Sequence, residues 1–121
     1  MKILAVSDTV EKSLYTDFQA DRFPKVDLVL SCGDLPPEYL SFLSSAFQSP
    51  LFYIRGNHDI RYDAAPPPGC TDVHDKIVRF GPINILGLEG SRWYNGGPNQ
   101  YTENQMKKII RGLRWKIWWR R

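Results

Sequence analysis

The sequence predicts an α/β fold in which a parallel βαβαβ unit is followed by antiparallel strands and a C-terminal basic amphipathic helix. Short runs of β-branched and apolar residues occur at 2–7, 26–31 and 50–55, and stretches with helical spacing of apolar residues separate them. Strands that alternate with helices in this way pair in parallel. The 121 residues, 42% hydrophobic and 24% charged, fit one globular domain and exclude a collagen-like, disordered or multidomain protein.

Two helices are predicted between these three strands. The stretch 11–23 carries apolar residues three to five positions apart. The stretch 37–48 has a similar pattern and begins with a proline, which is favoured in the first turn of a helix. We therefore expect one amphipathic helix over each stretch.

The pattern changes in the second half of the chain. A Pro-rich stretch at 64–69 predicts an extended connection. The apolar runs 76–80 and 83–88 follow, and the Gly-Pro break between them predicts a tight turn and therefore two antiparallel strands. A glycine-rich loop is expected over 89–98.

The last 15 residues differ in charge from the rest of the chain. They hold seven Lys and Arg residues and no acid, whereas the first 106 residues hold 9 basic and 13 acidic residues. Thr102 and Gln105 form a capping-box pattern that predicts a helix over 106–119, within a basic, Trp-rich segment 107–121. The simplest interpretation packs its Ile and Trp residues on the sheet. Association with a second copy of the chain, an anionic membrane or a nucleic acid is the alternative.

The N-terminus and the two cysteines bear on the compartment. The apolar run 3–6 is too short for a signal peptide or a membrane span, so we expect a cytoplasmic protein. Cys32 and Cys70 form no CxxC pattern, and in the cytoplasm both are expected to be free thiols.

Polar residues end each of the three predicted parallel strands: Asp8, then Gly33 with Asp34, then a Gly-Asn-His-Asp motif at 56–59. The carboxyl ends of parallel strands meet at one edge of a sheet, so we expect these side chains to be neighbours. Two carboxylates beside an amide oxygen favour a bound cation. Each residue alone would more simply be a turn former or a helix cap, but three such strand ends in register favour a site. His58 lies within the Gly-Asn-His-Asp motif and is interpreted as functional, whereas His74 is interpreted as structural.

The order of these motifs resembles the N-terminal half of a calcineurin-like metallophosphoesterase. The resemblance covers about residues 1–90. It implies a metallophosphoesterase-like mixed sheet, half of the full sandwich, and a hydrolase that cleaves phosphate mono- or diesters with a metal-activated hydroxide.

The resemblance also implies roles for single residues. Asp8 would bind a first metal ion, Asp34 would bridge two ions, and Asn57 would bind the second. His58 would donate to a phosphate oxygen or protonate the leaving alcohol. The cofactors implied are two divalent ions, with Mn²⁺ favoured and Mg²⁺, Fe or Zn²⁺ as alternatives. The oxygen donors favour Mg²⁺ or Mn²⁺ over Zn²⁺.

Two departures from the family pattern qualify this interpretation. Val10 stands where the family has a metal-binding His, and neither of the two histidines lies beyond residue 74. Residues 1–121 are therefore expected to be one domain, either incomplete at its C-terminus or a degenerate member. The alternative function is a non-catalytic binding module whose cationic helix contacts a membrane, a nucleic acid or a protein.

Arg92, in the glycine-rich loop, is a candidate for binding a substrate phosphate. The alternatives are that it pairs with Glu89 or stacks on Trp93.

Overall fold

A four-stranded parallel sheet forms the centre of the computed structural model, which describes residues 1–119. Its order is β1 (Ile3–Val6), β2 (Leu28–Ser31), β3 (Leu51–Tyr53) and β4 (Cys70–Asp72). The predicted α/β class and the three predicted parallel strands are confirmed. The sequence did not indicate β4, because three residues with one β-branched side chain carry no readable periodicity.

One face of the sheet is covered by α1 (Pro37–Phe47), as predicted. Proline occupies the first turn, and Gln48 ends the helix in the left-handed region at φ 50°. Tyr39, Leu40 and Leu43 are fully buried against the sheet. This apolar packing fixes the position of the loops that follow β2 and β3.

The prediction of a helix over 11–23 is wrong. The segment contains two single-turn 3₁₀ helices, Lys12–Leu14 and Ala20–Arg22. Between them Phe18 stacks on Phe23, with 5.5 Å between ring centroids, and meets two aromatic rings of α1 edge-on. Packing of aromatic rings on α1 outweighs the weak helical preference of this segment.

The second face of the sheet is covered only in part. The predicted hairpin is present as β5 (Ile77–Phe80) and β6 (Ile83–Leu86), and it forms a separate two-stranded antiparallel sheet. Phe80 packs edge-on against Phe52 of β3. The same face of β1 stays open, since Ile3 is 45% exposed.

The C-terminal part begins with two short parallel strands, β7 (Ser91–Arg92) and β8 (Gln100–Tyr101). They lead into α2 (Glu103–Trp119), which confirms the predicted helix. The capping box is formed: Gln105 N donates to Thr102 Oγ1 at 3.2 Å, and Thr102 N donates to Gln105 Oε1 at 2.8 Å.

The packing expected of α2 is only partly present. Leu113 is buried, but Trp115, Trp118 and Trp119 are 65%, 62% and 76% exposed, so the interpretation that the tryptophans pack on the sheet is wrong. Arg120 and Arg121, the last two cations of the segment 107–121, lie outside the described residues. Within the described part of the chain, no helix is both long and apolar enough to cross a bilayer.

The two cysteines are free thiols, as predicted. Cys32 is exposed and directly follows β2, whereas Cys70 starts β4. Burial raises the pKa of the Cys70 thiol to about 11, so this thiol stays protonated near neutral pH.

Candidate functional site

The predicted site residues follow the carboxyl ends of three adjacent strands. Asp8 follows β1, Asp34 follows β2, and Asn57 and His58 follow β3. Asp8 N donates to the Gly33 carbonyl oxygen at 3.1 Å. His58 N donates to Asp34 Oδ1 at 3.0 Å. These contacts join the three strand ends at one edge of the sheet.

Two glycines allow the loops after β2 and β3 to touch. Gly33 has φ +101°, and a Cβ there would lie 2.8 Å from the backbone nitrogen of Gly56. A Cβ on Gly56 would overlap the carboxylate of Asp34. Both positions therefore need glycine for the backbone of one loop to lie against the other.

Asp59 ties the same two loops together from below the surface. Its Oδ2 accepts hydrogen bonds from Asp34 N and from Gly56 N, both at 2.7 Å. Burial raises the pKa of the Asp59 carboxyl above its ordinary value, and the two backbone donors oppose that rise. The sequence indicated no role for Asp59 beyond its place in the Gly-Asn-His-Asp motif. The signal that could have indicated its role is its position three residues after Gly56, a spacing at which an Asp side chain can close a turn.

The side chain of Asn57 is held by the glycine-rich loop. Asn57 Nδ2 donates to the hydroxyl of Tyr94 at 2.9 Å and lies 3.2 Å from His58 Nε2. With both amide hydrogens directed to these neighbours, the amide oxygen of Asn57 is left for another ligand. Sequence reasoning missed Tyr94, because a partner 37 residues away leaves no local pattern.

The glycine-rich loop is itself braced. Gln100 Oε1 accepts from the backbone nitrogens of Tyr94 and Asn95 at 3.1 and 3.2 Å. Asn99 Nδ2 donates to the Gly56 carbonyl oxygen at 3.0 Å. The loop is thus fixed to the same turn that carries Asn57.

A buried charge network lies behind this edge. Glu89, 2% exposed, accepts from Arg55 Nε at 2.8 Å, from Arg55 Nη2 at 3.1 Å and from the hydroxyl of Tyr101 at 2.6 Å. Burial opposes the charge of Glu89, but these hydrogen bonds hold the pKa of its carboxyl below the ordinary value. His74 accepts from Glu89 N at 3.1 Å through Nδ1, which fits its interpretation as a structural residue.

A shallow pocket opens beside Asp34 and His58, and Arg61 contributes to its wall. Arg61 forms a bidentate ion pair with Glu38, with both N to O distances at 2.9 Å. Arg61 is not among the residues predicted from the sequence. Arg92 instead lies 3.7 Å from Glu103 and is 84% exposed, so it pairs with neither Glu89 nor the site loops.

The chain was compared with known proteins. The family model of the calcineurin-like phosphoesterases matches residues 1–121. The chain belongs to the calcineurin-like phosphoesterase family. None of the curated proteins matches it. The motifs that carry the resemblance lie within residues 1–90, and the match to the family model extends beyond them to residue 121.

Calcineurin-like phosphoesterases typically bind two metal ions. Within residues 1–119, no group of three or more His, Cys, Asp or Glu side chains could hold a metal ion. The predicted ligands Asp8, Asp34 and Asn57 would offer two carboxylates and one amide oxygen. Such a set fits hard cations that keep several water ligands, Mn²⁺ or Mg²⁺, better than Zn²⁺.

Proposed function

We propose that this calcineurin-like phosphoesterase hydrolyses phosphate mono- or diesters with two divalent metal ions, Mn²⁺ being the favoured ion. The observation that carries the proposal is that the loops after β1, β2 and β3 are hydrogen-bonded to one another at one sheet edge in a member of this family. These loops hold Asp8, Asp34, Asn57 and His58. The family supports the reaction class, and the oxygen donors support Mn²⁺ or Mg²⁺ over Zn²⁺.

Three residues would hold the metal ions in this proposal. Asp8 would bind one ion, Asn57 would bind the other through its amide oxygen, and Asp34 would lie between them. When bound, divalent ions supply a Lewis acid that lowers the pKa of water and neutralises charge on the phosphoryl oxygens. Asp34 Oδ1 already accepts from His58 N, so that hydrogen bond limits the directions in which the Asp34 carboxylate can face.

His58 would donate to a phosphate oxygen or protonate the leaving alcohol. Its Nε2 faces Asn57 Nδ2, and in the neutral tautomer that accepts this hydrogen bond the proton is on Nδ1. In this tautomer the exposed ring could donate a hydrogen bond from Nδ1 to a phosphate oxygen. To protonate the leaving alcohol, the ring would first have to gain a second proton, on Nε2, and give up the hydrogen bond from Asn57.

The substrate would approach through the pocket beside Asp34. Arg61 is the arginine in the wall of that pocket and is available for a phosphate contact if it exchanges its pairing with Glu38. Arg92, predicted from the sequence to bind a phosphate, remains a second candidate.

The test is hydrolysis of aryl phosphate mono- and diesters by the whole chain with Mn²⁺ or with excess chelator. We expect turnover that requires Mn²⁺ and falls at least about 100-fold in Asp34→Asn, because loss of a bridging carboxylate removes several kcal/mol of transition-state stabilisation. Asp17→Asn is the matched control, since it makes the same chemical change at an exposed residue that is not a predicted ligand.

Two results would contradict the proposal. The first is absence of turnover in folded wild-type protein with Mn²⁺, and the second is Asp34→Asn protein that is as active as Asp17→Asn. Either result would favour the alternative function, a binding module that has kept the scaffold without the reaction.

A further inference from the structure

The outward side of α2 combines exposed tryptophans with cations. With 100° of rotation per residue, these side chains point away from Leu113, the buried residue of the helix. We call this surface the Trp-Arg face. Its residues are Lys108, Arg111, Arg114, Trp115, Trp118 and Trp119.

The cations of the Trp-Arg face have no acidic partner. Two other cations of the helix do have acidic neighbours: Lys107 lies 4.0 Å from Glu103, and Lys116 lies 3.0 Å from Asp75. In contrast, no carboxylate among residues 1–119 forms an ion pair with Lys108, Arg111 or Arg114. Their charge is therefore available to an anionic partner.

The tryptophans form one continuous cluster. Trp115 and Trp118 meet edge to face at 6.2 Å between ring centroids, and Trp118 and Trp119 do so at 5.4 Å. Arg111 and Arg114 line the same groove as Trp115 and Trp118. Indole rings and guanidinium groups thus share one exposed surface.

We propose that the Trp-Arg face lies on the surface of an anionic lipid bilayer. Amphipathic helices with aromatic residues and cations bind at the level of the lipid headgroups, where indole rings are favoured and cations meet lipid phosphates. Because the first 106 residues carry more acids than bases, an anionic surface attracts this end of the chain and repels the rest.

The arrangement of the rings favours lipid over nucleic acid. Stacking of bases requires aromatic rings whose faces are open to the nucleic acid. Here the edge-to-face contacts use ring faces within the cluster, whereas a headgroup region accepts indole rings in any orientation. A symmetric contact between two copies would place like charges of the same face against each other.

The test is co-sedimentation of the whole chain with vesicles of phosphatidylcholine alone or with 30% phosphatidylglycerol, together with tryptophan emission. We expect binding and a blue shift only with the anionic vesicles, and both should weaken at high salt. The triple variant Lys108→Glu/Arg111→Glu/Arg114→Glu should bind about 100-fold less tightly or worse, since each cation near the surface contributes about a factor of five.

The matched control is Lys12→Glu/Arg22→Glu/Lys25→Glu, which makes the same change of net charge at exposed positions outside α2. It should keep the affinity of the wild type for anionic vesicles. Equal loss in both triple variants, no binding to anionic vesicles, tighter binding to single-stranded DNA, or tryptophans buried by self-association without lipid would each overturn the proposal. Circular dichroism confirms that the variants are folded before they are compared.

Discussion

Asp59 is the residue that holds the two loops of the candidate site at their distance from each other. Its carboxylate accepts from one backbone nitrogen on each loop and is 6% exposed. The residue is thus needed for the shape of the site, although it is not one of the proposed metal ligands. Stability and site geometry both depend on a single acceptor oxygen.

Two substitutions at Asp59 distinguish how much its acceptor oxygen and its negative charge each contribute to the free energy of unfolding. Asp59→Ala leaves two buried backbone donors unsatisfied, and we expect it to lower the free energy of unfolding by about 2–4 kcal/mol. Asp59→Asn keeps an acceptor oxygen and removes a buried charge, so it should stay within about 1 kcal/mol of the wild type. Urea unfolding measures both. Equal losses in the two variants would show that the charge, rather than the acceptor, matters.

Tyr94 acts on the site through Asn57. Its hydroxyl accepts from the amide nitrogen of Asn57, which leaves the amide oxygen directed elsewhere. Groups that orient a metal ligand in this way commonly change metal affinity by about 10–100-fold when they are removed.

We therefore expect Tyr94→Phe to weaken Mn²⁺ binding about 10-fold with little change in stability, because Tyr94 is 57% exposed. Isothermal titration with Mn²⁺ measures the affinity directly. Tyr15→Phe makes the same chemical change away from the site and serves as the control. Identical Mn²⁺ affinities in the two variants would remove Tyr94 from the site, whereas no Mn²⁺ binding by the wild type would remove the metal proposal itself.

At the scale of elements, local signals predicted those parts of the fold whose hydrogen bonds are local. The proline at the start of α1 removes a backbone N–H that would have no partner within the helix, and the capping box of α2 satisfies backbone groups three residues apart. A short stretch of sequence is therefore sufficient to indicate both. The prediction of a helix over 11–23 was wrong because aromatic residues of this segment pack on α1, and the spacing of apolar residues alone does not indicate that contact.

The capping box of α2 can be tested by itself. Thr102→Ala removes the acceptor of the Gln105 backbone nitrogen, and we expect a loss of about 1 kcal/mol in the free energy of unfolding. Thr102→Ser keeps the hydroxyl and should behave like the wild type. Thermal unfolding followed by circular dichroism distinguishes them, and an alanine variant as stable as the serine variant would mean that tertiary contacts alone hold the start of the helix.

For the whole molecule, Glu89 connects parts of the chain that are distant in sequence. It joins Arg55 after β3, Tyr101 of β8 and the loop that carries His74. Since its pKa is held below the ordinary value of 4.5, the ionised form stabilises the folded state. That contribution is complete above about pH 4.5 and is lost as the pH falls through the lower pKa of the folded state.

Glu89→Gln should therefore be destabilised most at neutral pH, by about 3 kcal/mol, because it leaves a partly buried Arg55 without its main partner. Well below pH 4.5 the difference from the wild type should shrink, since Glu89 is then neutral in both states. Guanidinium unfolding at several pH values measures the difference. A gap that does not change with pH would mean that shape, rather than charge, determines the effect.

Only those residues of the candidate site that come directly after a strand could be predicted from the sequence. Asp8, Asp34, Asn57 and His58 directly follow strands, so their place at one edge follows from parallel topology. Tyr94, Glu89 and Arg61 reach the region through loop paths and long-range pairs, which a single sequence does not specify.

The partial cover of the sheet has a consequence for local unfolding. The hairpin of β5 and β6 packs on β2 and β3, while β1 is an edge strand whose outer side chains meet water. Strands with least burial open first, so amide hydrogens of β1 are expected to exchange with solvent sooner than those of β2 and β3. Asp8 is attached to that strand. Fraying of β1 would therefore carry Asp8 away while Asp34 and Asn57 remain in place.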